Sequence, residues 1–125
     1  MKTKEIPKKE WSEFFDAFSR KHEGLIVNVE ILGAAIGAQV EVRETPLEGI
    51  TDEWDEVKGN TIMIMTGAKP EGHMTHSITH PAAVSLEQTD EGADAALAIT
   101  SNDGTTTLLR FRAAVPSELV NAVAG

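Results

Sequence analysis

The sequence predicts an α+β fold: one N-terminal amphipathic helix packed on a single, strongly coiled antiparallel sheet of about six or seven strands. Three observations lead to this prediction. Aromatic residues recur at helical spacing near the N-terminus, the following segments alternate with the period of strands, and short turn-forming segments separate them. Because no second helix returns the chain, antiparallel connections are favoured. A small closed β-barrel with the helix at one end is the alternative.

The helix is predicted over about residues 7–23. One face carries aromatic residues at positions i, i+3, i+4 and i+7, namely Trp11, Phe14, Phe15 and Phe18. Pro7 suits the first helical turn, and Gly24 can adopt the left-handed conformation that ends a helix. The aromatic face should therefore be buried by the sheet, and Phe14, Phe15 and Phe18 are expected to be covered by Val27, Val29, Val40 and Leu109.

A β meander is predicted over about residues 25–113, followed by a short frayed tail at 114–125. The alternating or apolar segments are 25–32, 39–44, 61–66, 73–80, 82–89, 96–101 and 105–112. Asn102-Asp103-Gly104 is the strongest hairpin signal. Pro46 lacks an N–H donor and is expected to break or bend a strand ladder.

The most acidic segment is TDEWDEVKGN, residues 51–60. It is predicted to be a solvated loop with Trp54 held against the body of the protein. Carboxylates can bind cations, but this segment lacks the spacing of a calcium-binding loop, so calcium is not expected.

Composition limits the possible functions. The 125 residues fit one domain, residues 1–125, and the absence of Cys excludes disulfides and thiol chemistry. The net charge of −9 disfavours binding to nucleic acid or anionic lipid. No apolar run is long enough to span a membrane and no signal peptide is evident, so a cytoplasmic location is expected.

Histidines are locally enriched, with His73, His76 and His80 within eight residues. On a strand, His76 and His80 share a face but lie about 13 Å apart, too far for one metal ion. No metal site is therefore predicted. No glycine-rich loop matches a phosphate-binding motif, and no cofactor is predicted either.

Two classes of function remain. The favoured one is a small soluble, non-catalytic binding or assembly module, whose exposed strand edges could pair with a partner. The alternative is a small enzyme with a pocket between helix and sheet, for which His76, His80 and Glu87 are the weak catalytic candidates and Asp94 another possible carboxylate. Residues 61–66, TIMIMT, are apolar on both faces. Since one helix is too narrow to cover them, a homodimer is predicted.

Four segments carry a resemblance to a known family: KEIPKKEWSEFFDAFSRKHEG at 4–24, LEGIT at 47–51, LEQTDEGADAAL at 86–97 and DGTTTLLRFR at 103–112. The chain resembles a family of short bacterial proteins of unknown function. The resemblance spans nearly the whole chain and implies a bacterial, single-domain, soluble protein. It implies no activity, substrate or catalytic residue.

Overall fold

The computed structural model describes residues 1–33, 37–67 and 72–115. A short 3₁₀ turn at Lys8–Glu10 leads into the helix, α1 (Trp11–His22). The strands are β1 (Lys2–Ile6), β2 (Ile26–Gly33), β3 (Gly37–Asp55), β4 (Gly59–Thr66), β5 (Met74–Thr79), β6 (Pro81–Gln88), β7 (Asp94–Ser101) and β8 (Thr106–Val115).

The eight strands form one open antiparallel sheet in the order β1-β6-β7-β8-β2-β3-β4-β5. The predicted fold class is confirmed, whereas the closed-barrel alternative is wrong and the strand count is higher than six or seven. The additional strand is β1, which precedes the predicted meander. Its sequence KTKEI lacks apolar alternation because four of its five residues are exposed at the edge of the sheet.

The sheet coils strongly. Strands β5 and β6 are consecutive in the chain, and only His80, with a φ of 50°, lies between them. They nevertheless occupy opposite parts of the strand order. A one-residue connection between them is possible only if the sheet curls until its two ends approach each other.

Helix α1 confirms the helical prediction, and Gly24 follows it with a φ of 85°. Trp11, Phe15 and Phe18 are at most 3% exposed, so the space between helix and sheet is filled. Phe14 is only partly buried. Among the expected covering residues, Val40 is 46% exposed, because it lies in an exposed end of β3 that extends past the core.

Strand β3 is unusually long and changes partner along its length. Its first part, up to Pro46, pairs with β2, and its second part, from Leu47, pairs with β4. Pro46 therefore does not break the strand. A positive φ of 41° at Glu44 and a register shift between Leu47 and Gly49 mark the bend that accompanies the exchange of partners.

The loop predicted for residues 51–60 is wrong. Strand β3 continues to Asp55, β4 begins at Gly59, and Trp54 pairs with Asn60 across the resulting hairpin. Trp54 is 68% exposed rather than held against the body. The turn forms because the Asp55 carboxylate accepts hydrogen bonds from the backbone N–H groups of Val57 and Lys58, at 2.7 and 2.9 Å.

The hairpin predicted at Asn102-Asp103-Gly104 is confirmed between β7 and β8, and Gly104 has a φ of 88°. Strand β8 continues to Val115, two residues into the segment predicted as a frayed tail. Residues 34–36, 68–71 and 116–125, which include the rest of the predicted tail, lie outside the described residues.

Candidate functional site

The three catalytic candidates from the sequence lie on different parts of the sheet. His76 is half-buried in β5 opposite Ile64, and His80 is exposed at the corner that follows β5. Glu87 lies in β6 opposite Ala96. It is seven residues beyond His80, which corresponds to about 23 Å along a strand. The structure therefore does not bring these residues together as one acid–base pair.

His76 sits in a partly desolvated environment. Burial lowers the pKa of His76, and the nearby Glu41 carboxylate opposes that shift only in part. The neutral imidazole is therefore the favoured form of His76 at pH 7.

The structure places a different histidine next to a carboxylate. His22, the last residue of α1, has its Nε2 3.0 Å from Oδ2 of Asp94, at the start of β7. The Nδ1 of His22 is 2.7 Å from the carbonyl oxygen of Phe18. Each ring nitrogen of His22 therefore has an oxygen partner, one on the helix backbone and one on the sheet.

Aromatic rings also pack against His22. The ring centroids of Phe18 and Phe111 lie 4.2 and 4.9 Å from the centroid of its imidazole ring. Burial by itself raises the pKa of Asp94. Hydrogen bonds from His22 and Gln88, together with the charges of His22 and Lys21, outweigh burial and hold the pKa of Asp94 below its usual value.

This pair links the helix to the sheet and is not set up for acid–base catalysis. The His22 side chain is 3% exposed, and each ring nitrogen already has a partner. No nitrogen is left to exchange a proton with a substrate. The sequence did contain a signal for this role, since His22 is four residues after Phe18 and extends the aromatic face of the helix.

A second histidine–carboxylate contact lies at the surface, where His73 Nδ1 is 2.7 Å from Glu48 Oε2. Both side chains are more than 40% exposed, so this contact contributes little. Within residues 1–33, 37–67 and 72–115, no group of three or more His, Cys, Asp and Glu residues is arranged to hold a metal ion.

A shallow cleft of about 410 Å³ lies between the N-terminal half of α1 and β3. The residues that line it are Ser12, Glu13, Phe15, Asp16, Ile50, Thr51 and Asp52. They include no histidine. The enzyme alternative requires a helix–sheet pocket that contains a histidine beside a carboxylate. This cleft differs from such a pocket because its lining has carboxylates but no histidine.

The two outer strands of the sheet differ in charge. Strand β1 carries Lys2, Lys4 and Glu5, the type of residues that protect an edge from pairing. Strand β5, with the sequence MTHSIT, has no Lys, Arg, Asp, Glu or Pro. Four of its six residues are exposed. Its side away from β4, here called the β5 edge, has no neighbouring strand in the described part of the chain.

Comparison with known proteins identifies relatives but no activity. A family described as "Family of unknown function (DUF5335)" matches residues 2–120. An "Uncharacterized protein" of Aquifex aeolicus (strain VF5) is 33% identical over 117 residues, covering 93% of this chain and 97% of the relative. No solved structure matches. Among the residues described, no helix is long and apolar enough to cross a membrane.

Proposed function

The chain belongs to DUF5335, a family of unknown function, and we propose that it is a non-catalytic assembly module that forms a homodimer through the β5 edge. The observation that carries the proposal is the uncharged, exposed β5 edge at the end of an eight-stranded sheet. In the dimer, two copies of Met74–Thr79 pair antiparallel across a two-fold axis.

The backbone of β5 supplies the main attraction. Alternate residues of an outer strand direct their N–H and C=O groups away from the sheet, and these groups template the pairing of another strand. An antiparallel pair of identical strands is self-complementary, which is the condition for a closed two-fold dimer. Such a contact leaves no further β5 edge exposed, so assembly stops at two copies.

The side chains of β5 also favour pairing. Met74 is 52% exposed and would be covered in the dimer. His76 favours its neutral form at pH 7, because burial lowers its pKa. The six residues of β5 therefore bring no like charges of their own together when two copies meet, although Glu41 of β3 is a nearby carboxylate.

The net charge of −9 opposes dimerisation over longer distances. Salt screens this repulsion, with a Debye length of about 8 Å at physiological ionic strength. Hydrogen bonds and apolar contacts at the β5 edge act at shorter range. The dimer should therefore become tighter as the salt concentration rises from low to physiological values.

Light scattering combined with analytical ultracentrifugation tests the proposal on the full chain. The wild-type protein should give the mass of two chains at micromolar concentration in 0.15 M salt. The double variant Thr75→Lys, Ser77→Lys places like charges from both copies at the interface. Its dissociation constant should be at least tenfold higher than that of the wild type.

The matched control is Thr3→Lys, Glu5→Gln on the opposite outer strand, β1. All four positions are exposed, and both double variants make the net charge less negative by two. If net charge alone controlled association, both double variants would associate more strongly than the wild type. The proposal requires the β5 variant alone to dissociate, while a monomeric wild type, or equal behaviour of the two variants, would overturn it.

A further inference from the structure

A single serine reveals a third free edge in the sheet. The hydroxyl of Ser19 in α1 donates to the carbonyl oxygen of Ile50 at 3.1 Å and accepts from the Ile50 N–H at 2.8 Å. The N–H of Ile50 is therefore not directed at β4. Ile50 and Ile64, which face each other in the β3–β4 register, form a non-hydrogen-bonded pair.

Backbone groups farther along β3 point the same way as those of Ile50. Asp52 and Trp54 follow Ile50 at two-residue intervals with an unbroken register, so their N–H and C=O groups also face away from β4. Strand β2 pairs with β3 only as far as Pro46. In the described residues, no strand and no hydrogen bond covers these groups of Asp52 and Trp54, which together we call the β3 edge.

The cleft beside α1 gives access to the β3 edge. The Ser19 hydroxyl bonds α1 directly to β3 at Ile50. The cleft of about 410 Å³ lies beside the part of α1 that precedes this contact. Its floor includes Phe15. Asp52 lies both in the cleft wall and on the β3 edge, so an extended segment entering the cleft would meet unpaired backbone groups.

The charge around the cleft selects the kind of segment that fits. Glu13, Asp16 and Asp52 line it, and within the described part of the chain only Asp16 of these three has a cationic partner, Arg20 four residues later in the helix. We propose that an extended, basic segment of a partner protein docks in this cleft by adding a strand to the β3 edge.

Trp54 completes the docking surface. It follows Ile50 and Asp52 on the same face of β3 and is 68% exposed. The hairpin that presents it is held in shape by the Asp55 turn and by a 2.9 Å hydrogen bond from Asn60 Nδ2 to Asp52 Oδ1. An exposed indole beside carboxylates suits a lysine or arginine side chain, and a hairpin that is already formed loses less entropy on binding.

The test uses the full chain and an acetylated, amidated octapeptide of four Lys-Val repeats, with a Glu-Val octapeptide as the control. The Lys-Val peptide should bind in 0.15 M salt, shift the emission of Trp54 to shorter wavelength, and give its largest backbone amide shifts at Asp52 and Trp54. The Glu-Val peptide should not bind. Trp54→Ala should weaken binding of the Lys-Val peptide at least tenfold.

Two comparisons separate strand addition from general attraction to an acidic protein. Methylating the backbone nitrogens of only the lysines, or of only the valines, should abolish binding in one case and preserve it in the other, since a strand pairs through alternate residues. Glu13→Gln should weaken binding several-fold, whereas Glu53→Gln, the same change on the opposite face of β3, should alter it less than twofold.

Equal binding of the two methylated peptides would overturn the proposal, as would amide shifts centred on β5 or β1. Lack of binding by the Lys-Val peptide would overturn it too. The β3 edge and the β5 edge are separate surfaces. A monomeric protein that still binds the peptide would refute the dimer and leave the strand-addition site intact.

Discussion

Asp94→Asn should destabilise the protein strongly, although it changes only one atom of the side chain. The variant removes the negative charge that faces His22 while keeping the shape and one oxygen acceptor. His22 is 3% exposed, and its Nε2 would lose the carboxylate oxygen that it contacts. A hydrogen bond to a charged group contributes roughly 1.5–3 kcal/mol to stability. Because the Asp94 side chain keeps 16% exposure, we expect a loss of about 2 kcal/mol.

Urea denaturation at pH 7 measures this loss of stability, which corresponds to a change of about thirtyfold in the ratio of folded to unfolded protein. The denaturation midpoint should fall while its slope with urea stays the same. Asp90→Asn is the matched control. Asp90 is 78% exposed and pairs with the N-terminal amine at the surface, so the loss of its charge should cost under about 1 kcal/mol. Equal stability of the two variants would refute the role of the pair.

The same pair predicts a pH dependence. The pKa of Asp94 in the folded protein lies below its usual 3.8. Its stabilising contribution is therefore complete above the unfolded pKa and is lost as the pH falls through the folded value. The difference in stability between wild type and Asp94→Asn should shrink as the pH is lowered below about 4. A difference that stays constant down to pH 2 would contradict this reasoning.

Three further predictions concern the core and the histidines. Phe18→Ala should lower the free energy of unfolding by 3–5 kcal/mol, and Phe14→Ala by clearly less because Phe14 is only partly buried; equal denaturation midpoints would contradict this. The protein should not retain zinc through a desalting column. Retention of stoichiometric zinc by the wild type, and its loss in a His76→Ala, His80→Ala variant, would contradict this prediction. Burial lowers the pKa of His76 from 6.5, so dimerisation should weaken as the pH falls through the lowered value, and ultracentrifugation between pH 7.5 and 5 would detect this.

The helix and most strands were predictable because their local patterns agree with their burial. Trp11, Phe15 and Phe18 recur at helical spacing and all are buried. The last hairpin was predictable because Asn102-Asp103-Gly104 has the conformational freedom that a tight turn needs. In these segments local preference and tertiary packing require the same structure, so no long-range information was needed.

Other features could not be read from local patterns because distant residues create them. Strand β1 has no apolar alternation, and it forms a strand because β6 offers it an edge. The acidic segment around Trp54 is a hairpin because β4 continues its ladder and Asp55 caps its turn.

The candidate site was even less predictable. His22 and Asp94 are far apart in the sequence, and only the fold brings the end of α1 next to the start of β7. The β3 edge exists because β2 stops pairing with β3 at Pro46, and the Ser19–Ile50 contact that reveals it has no sequence signature. The sequence MTHSIT shows only that this segment contains no Lys, Arg, Asp or Glu, and it takes the structure to show that the strand lies at the end of the sheet.

Hydrogen exchange of the backbone amides of Met74–Thr79, measured across a range of protein concentrations, is the most direct test of assembly through the β5 edge. The amides of β5 that face away from β4 should exchange rapidly in dilute protein and become protected as the concentration rises through the dimer dissociation constant. The amides of Lys2–Ile6 should show no such dependence. Equal exchange of the β5 amides at every concentration would contradict assembly through this strand.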